Sequence, residues 1–117
     1  MVQLKRLIQR RDLLLGKLIS YKGVLRGTIV ERGNICGKPN CRCKRKNRPQ
    51  LHGPYKYLSH RSKTRTNMIF LNNKKMIYAS KGVGQYHEII NLIYKISEIN
   101  FNILRYHYEE LSDGVQV

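Results

Sequence analysis

Cys36-Gly37-Lys38-Pro39-Asn40-Cys41-Arg42-Cys43, followed after eight intervening residues by His52-Gly53-Pro54-Tyr55, is the stretch around which this 117-residue chain is organised. Every cysteine of the protein lies in it. Zinc requires soft, deprotonated donors brought to one point, and two thiolates on a tight turn supply half of a tetrahedral shell. Gly37 permits an unusual backbone angle and Pro39 stiffens the bend between Cys36 and Cys41. Cys43 adds a third thiolate and His52 the fourth donor, with His60 as its substitute. Lys38, Arg42 and Lys44 favour the thiolate form and hence metallation. The C-x₄-C-x-C spacing differs from the paired knuckles of common zinc fingers. The plainer alternative, unligated cysteines in a loose basic loop, is disfavoured by the confinement of all three to eight residues. Four protein ligands leave no open coordination position, so the implied Zn²⁺ is structural rather than catalytic.

Cysteine usage also sets the expected compartment. An odd count with C-x-C spacing argues against a disulfide framework and for reduced cytoplasm. The N-terminal sequence is interrupted by Lys5, Arg6, Arg10, Arg11, Asp12 and Lys17, which leaves no apolar run for a signal peptide or spanning helix. A soluble cytoplasmic protein with no membrane partner is the expectation.

The charge is lopsided. Lys plus Arg number 23 against 7 Asp plus Glu, a net +16, and from Arg32 to Lys81 there is no acidic residue. A field of one sign opposes folding by self-repulsion, so a polyanion is the natural partner. The residues expected to meet it are Lys38, Arg42, Lys44, Arg45, Lys46 and Arg48 on the cysteine loop, and Lys56, Arg61, Lys63, Arg65 and Asn67 beyond it. Any one of these cations alone would read as a solvated side chain; the acid-free cluster points to phosphate.

On either side of the loop the pattern is β-type: Leu25 to Arg32, Tyr55 to Arg61, and Thr64 to Leu71. With Ser62-Lys63 as a two-residue turn, Tyr55, Tyr57, Met68 and Phe70 share one face, expected to be core. Lys56, His60, Arg65 and Asn67 share the other, expected to be a cationic platform. Further out the period becomes helical. Leu4, Leu7, Ile8, Leu14, Leu15, Leu18, Ile19 and Tyr21 recur with a break at Arg11 and a stop at Gly23. Ile89, Leu92, Ile96, Ile99, Ile103 and Tyr106 mark a seam on a helix from about Gln85 to Glu110 that packs on the first helix. Ile90, Ile93, Phe101 and Leu104 widen that stripe, which predicts that it also covers the sheet. Residues 72–81 read as a short helix capped by Asn72 and ended by Gly82, with a fourth strand at Met76 to Ala79 as the alternative. His87 and His107 read as surface or packing residues, and the tail after Leu111 as frayed.

Catalysis finds little support in the residues. A two-metal nuclease needs convergent carboxylates, and Asp12, Glu31 and Glu88 are scattered without a surrounding motif. Tyr55 and Tyr57 are core candidates before they are nucleophiles, and Gly82-Val83-Gly84 is a helix breaker rather than part of a nucleotide-binding fingerprint. Binding remains. DNA is preferred, since a β-ribbon can enter the major groove and Arg65 and Asn67 are residue types that pair with guanine and adenine. RNA, including rRNA, is the first alternative, because small zinc-stapled domains and aromatic platforms suit it. The second is a protein-interaction module in which the C-terminal helix forms a homodimer.

The Cys36-to-Cys43 element with His52-Gly53-Pro54-Tyr55, together with Gly27-Thr28-Ile29 and Lys63-Thr64-Arg65-Thr66, resembles a family of small basic bacterial and archaeal proteins. That family is a domain of unknown function with a C-G-K-P-x-C-x-C element followed by H-G-P-Y. The resemblance covers most of the chain and implies a place among mobile-element or prophage-linked genes. Three departures stand out: the basic insert Lys44 to Leu51 is longer than the usual link, Lys56 stands where an aromatic is typical, and Ser62 replaces the glycine before Lys63.

The sequence therefore predicts an α+β protein of one domain, residues 1–117. An N-terminal helix (1–23) precedes a three-stranded antiparallel sheet with the zinc loop between its first and second strands (24–71). C-terminal helices (72–111) pack on the sheet and first helix, and a tail (112–117) follows. The expected function is non-catalytic, zinc-stapled nucleic-acid binding.

Overall fold

The β-type runs that flank the cysteine loop pair with one another. In the computed structural model, which describes residues 3–111, β1 (Gly27–Asn34), β2 (His52–Arg61) and β3 (Thr66–Phe70) form an antiparallel sheet in the order β1-β2-β3. The helices are α1 (Leu4–Ile19) and α2 (Asn73–His107), with 3₁₀ turns at Arg42–Lys44 and Tyr108–Glu110. The α+β class and the place of the Cys/His loop between the first two strands agree with the sequence. The tail at 112–117 lies outside the described residues. The described residues divide into two compact units, one formed by Gly23–Gly84 and one by residues 3–22 with 85–111.

In the sheet unit, Ile29 lies opposite Leu58 and Leu58 opposite Ile69. Leu58, Leu71 and Ala79 form the buried centre, with Leu25, Ile29, Met76 and Val83 packed against it. The side-chain period of two then assigns the faces. Leu58, Ile29, Lys56, His60 and Asn67 are on the face that the start of α2 covers. Tyr55, Tyr57, Met68 and Phe70 share the other, open face and are not in that buried centre; Met68 is 37% and Phe70 49% exposed, with Tyr55 and Tyr57 half-buried. The residues are grouped as predicted, but core and platform are exchanged. Aliphatic Leu58, Leu71 and Ile29 carry no polar atom into the centre, whereas tyrosines keep a hydroxyl that favours a wet surface.

The β2–β3 turn also differs from expectation. Arg61 pairs with Thr66, so the loop is Ser62-Lys63-Thr64-Arg65, and Arg65 is not a strand residue. Ser62 closes it: its N–H donates to the Arg65 carbonyl (2.9 Å), as does its hydroxyl (3.0 Å). The two extra residues move the register by two, which leaves every side chain except that of Arg65 on its expected face.

Asn72 caps α2 as predicted, its Oδ1 accepting the Lys75 N–H at 2.8 Å. The helix then runs unbroken through Gly82 to His107, so the expected short helix and long helix are one. Gly82 is buried because the chain before β1 lies against it. The Leu25 N–H donates to the Gly82 carbonyl at 3.1 Å, and a Cβ on Gly82 would stand 2.5 Å from the Gly23 oxygen. The glycine serves close approach rather than termination.

In the helical unit, Leu7, Ile99 and Ile103 form the buried centre, with Leu4, Ile8, Leu14 and Leu111 against it. Arg11, which breaks the apolar pattern in sequence, is itself buried on this seam; its guanidinium donates to Asn100 Oδ1 (3.3 Å) and Asp12 (3.3 Å). The Tyr21 hydroxyl donates to the Glu88 carboxylate. α1 ends at Ile19, before Gly23, where the Ser20 hydroxyl donates to the Lys17 carbonyl at 2.6 Å. The seam on α2 ends on buried His107 rather than on Tyr106, which is 48% exposed. Ile93, Phe101 and Leu104, expected to reach the sheet, are also exposed, and Met76, Ala79 and Val83 cover it instead.

Candidate metal centre

The cysteine loop leaves β1 at Asn34 and returns at His52, and these two residues are paired across the strands. His52 therefore stands at the mouth of the loop, opposite Asn34, which precedes Cys36 by two positions in the sequence. A register irregularity between Arg32 and Asn34 accommodates Gly33, whose missing side chain leaves room for Leu51. Inside the loop the Cys41 N–H donates to the Lys38 carbonyl (3.4 Å) and the Lys44 N–H to the Cys41 carbonyl (3.0 Å). This winds Arg42–Lys44 into a 3₁₀ turn that sets Cys41 and Cys43 side by side. The Gln50 N–H then donates to the Arg42 carbonyl at 3.0 Å, folding the basic insert back so that the next residues deliver the histidine.

One donor atom from each of Cys36, Cys41, Cys43 and His52 comes together, all within 4.8 Å of one another, a group that could hold a metal ion. Cys36 Sγ and Cys43 Sγ are 3.7 Å apart, and Cys41 Sγ is 3.1 Å from His52 Nε2. The Cys36 N–H also points at Cys43 Sγ (3.4 Å). Cys43 is 2% exposed and forms the floor of the site. The Cys43 backbone N–H, followed by the Cys36 side chain, lowers the Cys41 thiol to about 6, with His52 adding to the effect. At Cys36 the Lys38 backbone N–H pulls downward, but the Cys41 side chain, partial desolvation and Cys43 together push it up. Such a split is what neighbouring thiols show when one holds the negative charge and the other shares a proton with it.

Gly53 explains part of the H-G-P-Y element. Its φ is +106°, in the region open to glycine, and a Cβ there would stand 2.6 Å from the Tyr55 nitrogen. The kink lets His52 face the cysteines while Tyr55 turns onto the open sheet face. His60 lies further along β2, exposed and paired with Gly27 and Asn67, and is not part of the donor group.

Lys38, Arg42, Lys44, Arg45, Lys46 and Arg48 are all exposed on the loop. Lys63 and Arg65 are exposed in the β2–β3 turn. Lys56 and Asn67 are on the helix-covered face, where Lys56 lies 4.0 Å from Glu31 across the strands. Arg61 is on the open face and donates to Thr66 Oγ1 (3.2 Å). Sequence reasoning missed Arg32, which is opposite Tyr55 on that same open face. The available signal was the alternation in β1, which places Arg32 with Val30 and away from Ile29.

Residues 2–75 match the family described as Domain of unknown function (DUF6788). The chain belongs to this family. The match to DUF6788 spans α1, the sheet, the Cys/His loop and the first residues of α2. No curated protein and no solved structure matches the chain. Among the described residues no helix is long and apolar enough to cross a membrane.

Proposed function

We propose that this DUF6788 protein is a non-catalytic, zinc-stapled nucleic-acid-binding protein of the cytoplasm. The observation that carries the reading is the convergence of three sulfurs and one imidazole nitrogen at the root of a lobe without acidic residues from Arg32 to Lys81. Thiolates bound tetrahedrally to zinc at about 2.3 Å stand about 3.7 Å apart, and the Cys36–Cys43 separation is 3.7 Å. Three thiolates and an imidazole suit Zn²⁺ better than the oxygen-seeking cations, and they leave it no open position. Held in this way, the ion ties both ends of the basic loop to the sheet and offsets the repulsion among its cations.

The exposed loop cations and Arg61, Lys63 and Arg65 would meet phosphates, and each neutralised phosphate releases counterions. Affinity for duplex DNA or structured RNA should therefore fall steeply with salt, with a slope of about −0.9 per phosphate contact on B-DNA. The test is metal analysis of protein purified without chelator, combined with salt titrations of binding to both nucleic acids. Stoichiometric zinc with steep salt dependence supports the reading. Weak binding that ignores salt overturns it and favours the interaction module. That second reading draws on Ile93, Tyr94, Phe101 and Leu104 of α2, all 48% exposed or more and within about 100° of one another around the helix.

A further inference from the structure

The open face of the sheet unit carries a connected set of aromatic rings. Phe70 meets Tyr55 at 6.0 Å and Tyr57 at 5.8 Å between ring centres, both edge-to-face at 73° and 68°. The Asn34 amide donates to the Tyr57 hydroxyl at 2.9 Å and fixes that ring. Between these rings and the Cys36–His52 edge of the metal centre lies a cleft of about 380 Å³, within the range of small-ligand sites. The face has cations as well as rings: Arg32 is opposite Tyr55, and Arg61 is at the far end of β2. The carboxylate of Glu31, the acidic residue of β1, belongs to the opposite face with Lys56.

We infer that this face binds a single strand of nucleic acid, its unpaired bases stacking on Tyr55, Tyr57 and Phe70 and its phosphates meeting Arg32, Arg61 and the loop cations. The inference rests on the nucleic-acid reading above and names its substrate as unpaired strand. Rings on a sheet surface can use the flat side of a base only where that base is not already stacked in a duplex. An aromatic cluster with Phe70 exposed and Tyr55 and Tyr57 half-buried, in a field of one charge sign, is complementary to a chain that alternates flat apolar bases with phosphates. The cleft beside the metal centre gives one base an edge to enter against Tyr57 and Asn34. The aromatic trio binds without reading sequence, because every base presents a π-face.

The test compares a labelled 12-nucleotide oligothymidylate with a duplex of equal length by fluorescence anisotropy, over a salt series, with the full metal-loaded chain. The wild type should bind the single strand more tightly than the duplex. Phe70→Ala should weaken single-strand binding roughly tenfold while leaving duplex binding and the salt slope unchanged. Phe70→Leu, which keeps apolar bulk without a ring, should lose nearly as much, and Phe70→Tyr should restore it. Metal content and the circular dichroism melt of each variant establish that it is folded. Equal, salt-dependent binding of both nucleic acids that Phe70→Leu does not alter overturns the stacking inference but leaves the phosphate-binding reading standing. Absence of salt-dependent binding to either overturns both. A wild-type dimer in sedimentation that Phe70→Leu dissociates assigns the face to a second copy and likewise overturns the inference.

Discussion

Gly82 and Gly84 are two residues apart on α2, yet alanine should act on them in opposite directions. Glycine to alanine in a helix interior gains about 1 kcal/mol of propensity. At Gly84 no atom beyond its chain neighbours and the adjacent turns of helix backbone lies within 4 Å of the added Cβ, so the gain should be realised. At Gly82 the Cβ would stand 2.5 Å from the Gly23 carbonyl oxygen and 2.9 Å from the Leu25 side chain. A backbone oxygen cannot rotate away as a side chain can, and moving this segment strains the Leu25-to-Gly82 hydrogen bond. Overpacking costs about 1–3 kcal/mol and a weakened hydrogen bond about 0.5–1.5 kcal/mol, together more than the propensity gain. Gly82→Ala should therefore destabilise by roughly 1–3 kcal/mol while Gly84→Ala stabilises by roughly 0.5–1 kcal/mol. Urea unfolding of the two variants under identical metal loading measures the difference, and equal slopes show that stability rather than compactness changed. If both variants were stabilised, the close packing of Gly23 and Leu25 on α2 would be wrong; if both were destabilised alike, the Gly82-Val83-Gly84 segment would break the helix.

Removal of a donor tests the metal centre: Cys43→Ser and His52→Ala should each fall below stoichiometric metal by mass spectrometry, whereas His60→Ala should retain it, and metal retained by His52→Ala would refute the assignment of the fourth donor. In metal-free protein at pH 7, iodoacetamide should label Cys41 before Cys36. A thiol lowered to about 6 is mostly thiolate above that pH, so its alkylation should rise through pH 6 and level off, while Cys36, shifted upward, should react only in more alkaline buffer; peptide mapping that finds Cys36 first contradicts the geometry. Gly53→Ala forces an L side chain into φ +106° beside the Tyr55 nitrogen and should cost roughly 1–3 kcal/mol, read as a lower melting temperature together with weaker metal retention. Ile103→Ala, at a side chain 1% exposed, should cost about 2–5 kcal/mol in urea unfolding, and a cost below 1 kcal/mol would place Ile103 outside the packed seam.

Much of this architecture could be read from the chain because local chemistry repeats along it. Helical periods at Leu4–Leu18 and Ile89–Ile103 identify helices wherever they pack, since the 3.6-residue repeat belongs to the helix itself. The four donors were legible for a related reason: few arrangements other than a shared ion bring three cysteines so close in sequence. The Asn72 cap was equally local, requiring one side-chain oxygen three residues before a free N–H.

What the chain alone did not decide was which side of a surface meets which neighbour. Alternation in β2 and β3 sorted Tyr55, Tyr57 and Phe70 from Leu58 and Ile69, but both sets are apolar, and α2 chose the aliphatic one through Met76, Ala79 and Val83. Arg11 looked like an interruption because Asn100, which accepts a hydrogen bond from it across the seam, is distant in sequence. Gly82 looked like a stop because the backbone it accommodates, at Gly23, is likewise distant. Periodicity, caps and donor spacing are set by covalent neighbours and are written in the sequence, whereas face choice, buried polar pairing and close backbone approach depend on partners that only folding brings together.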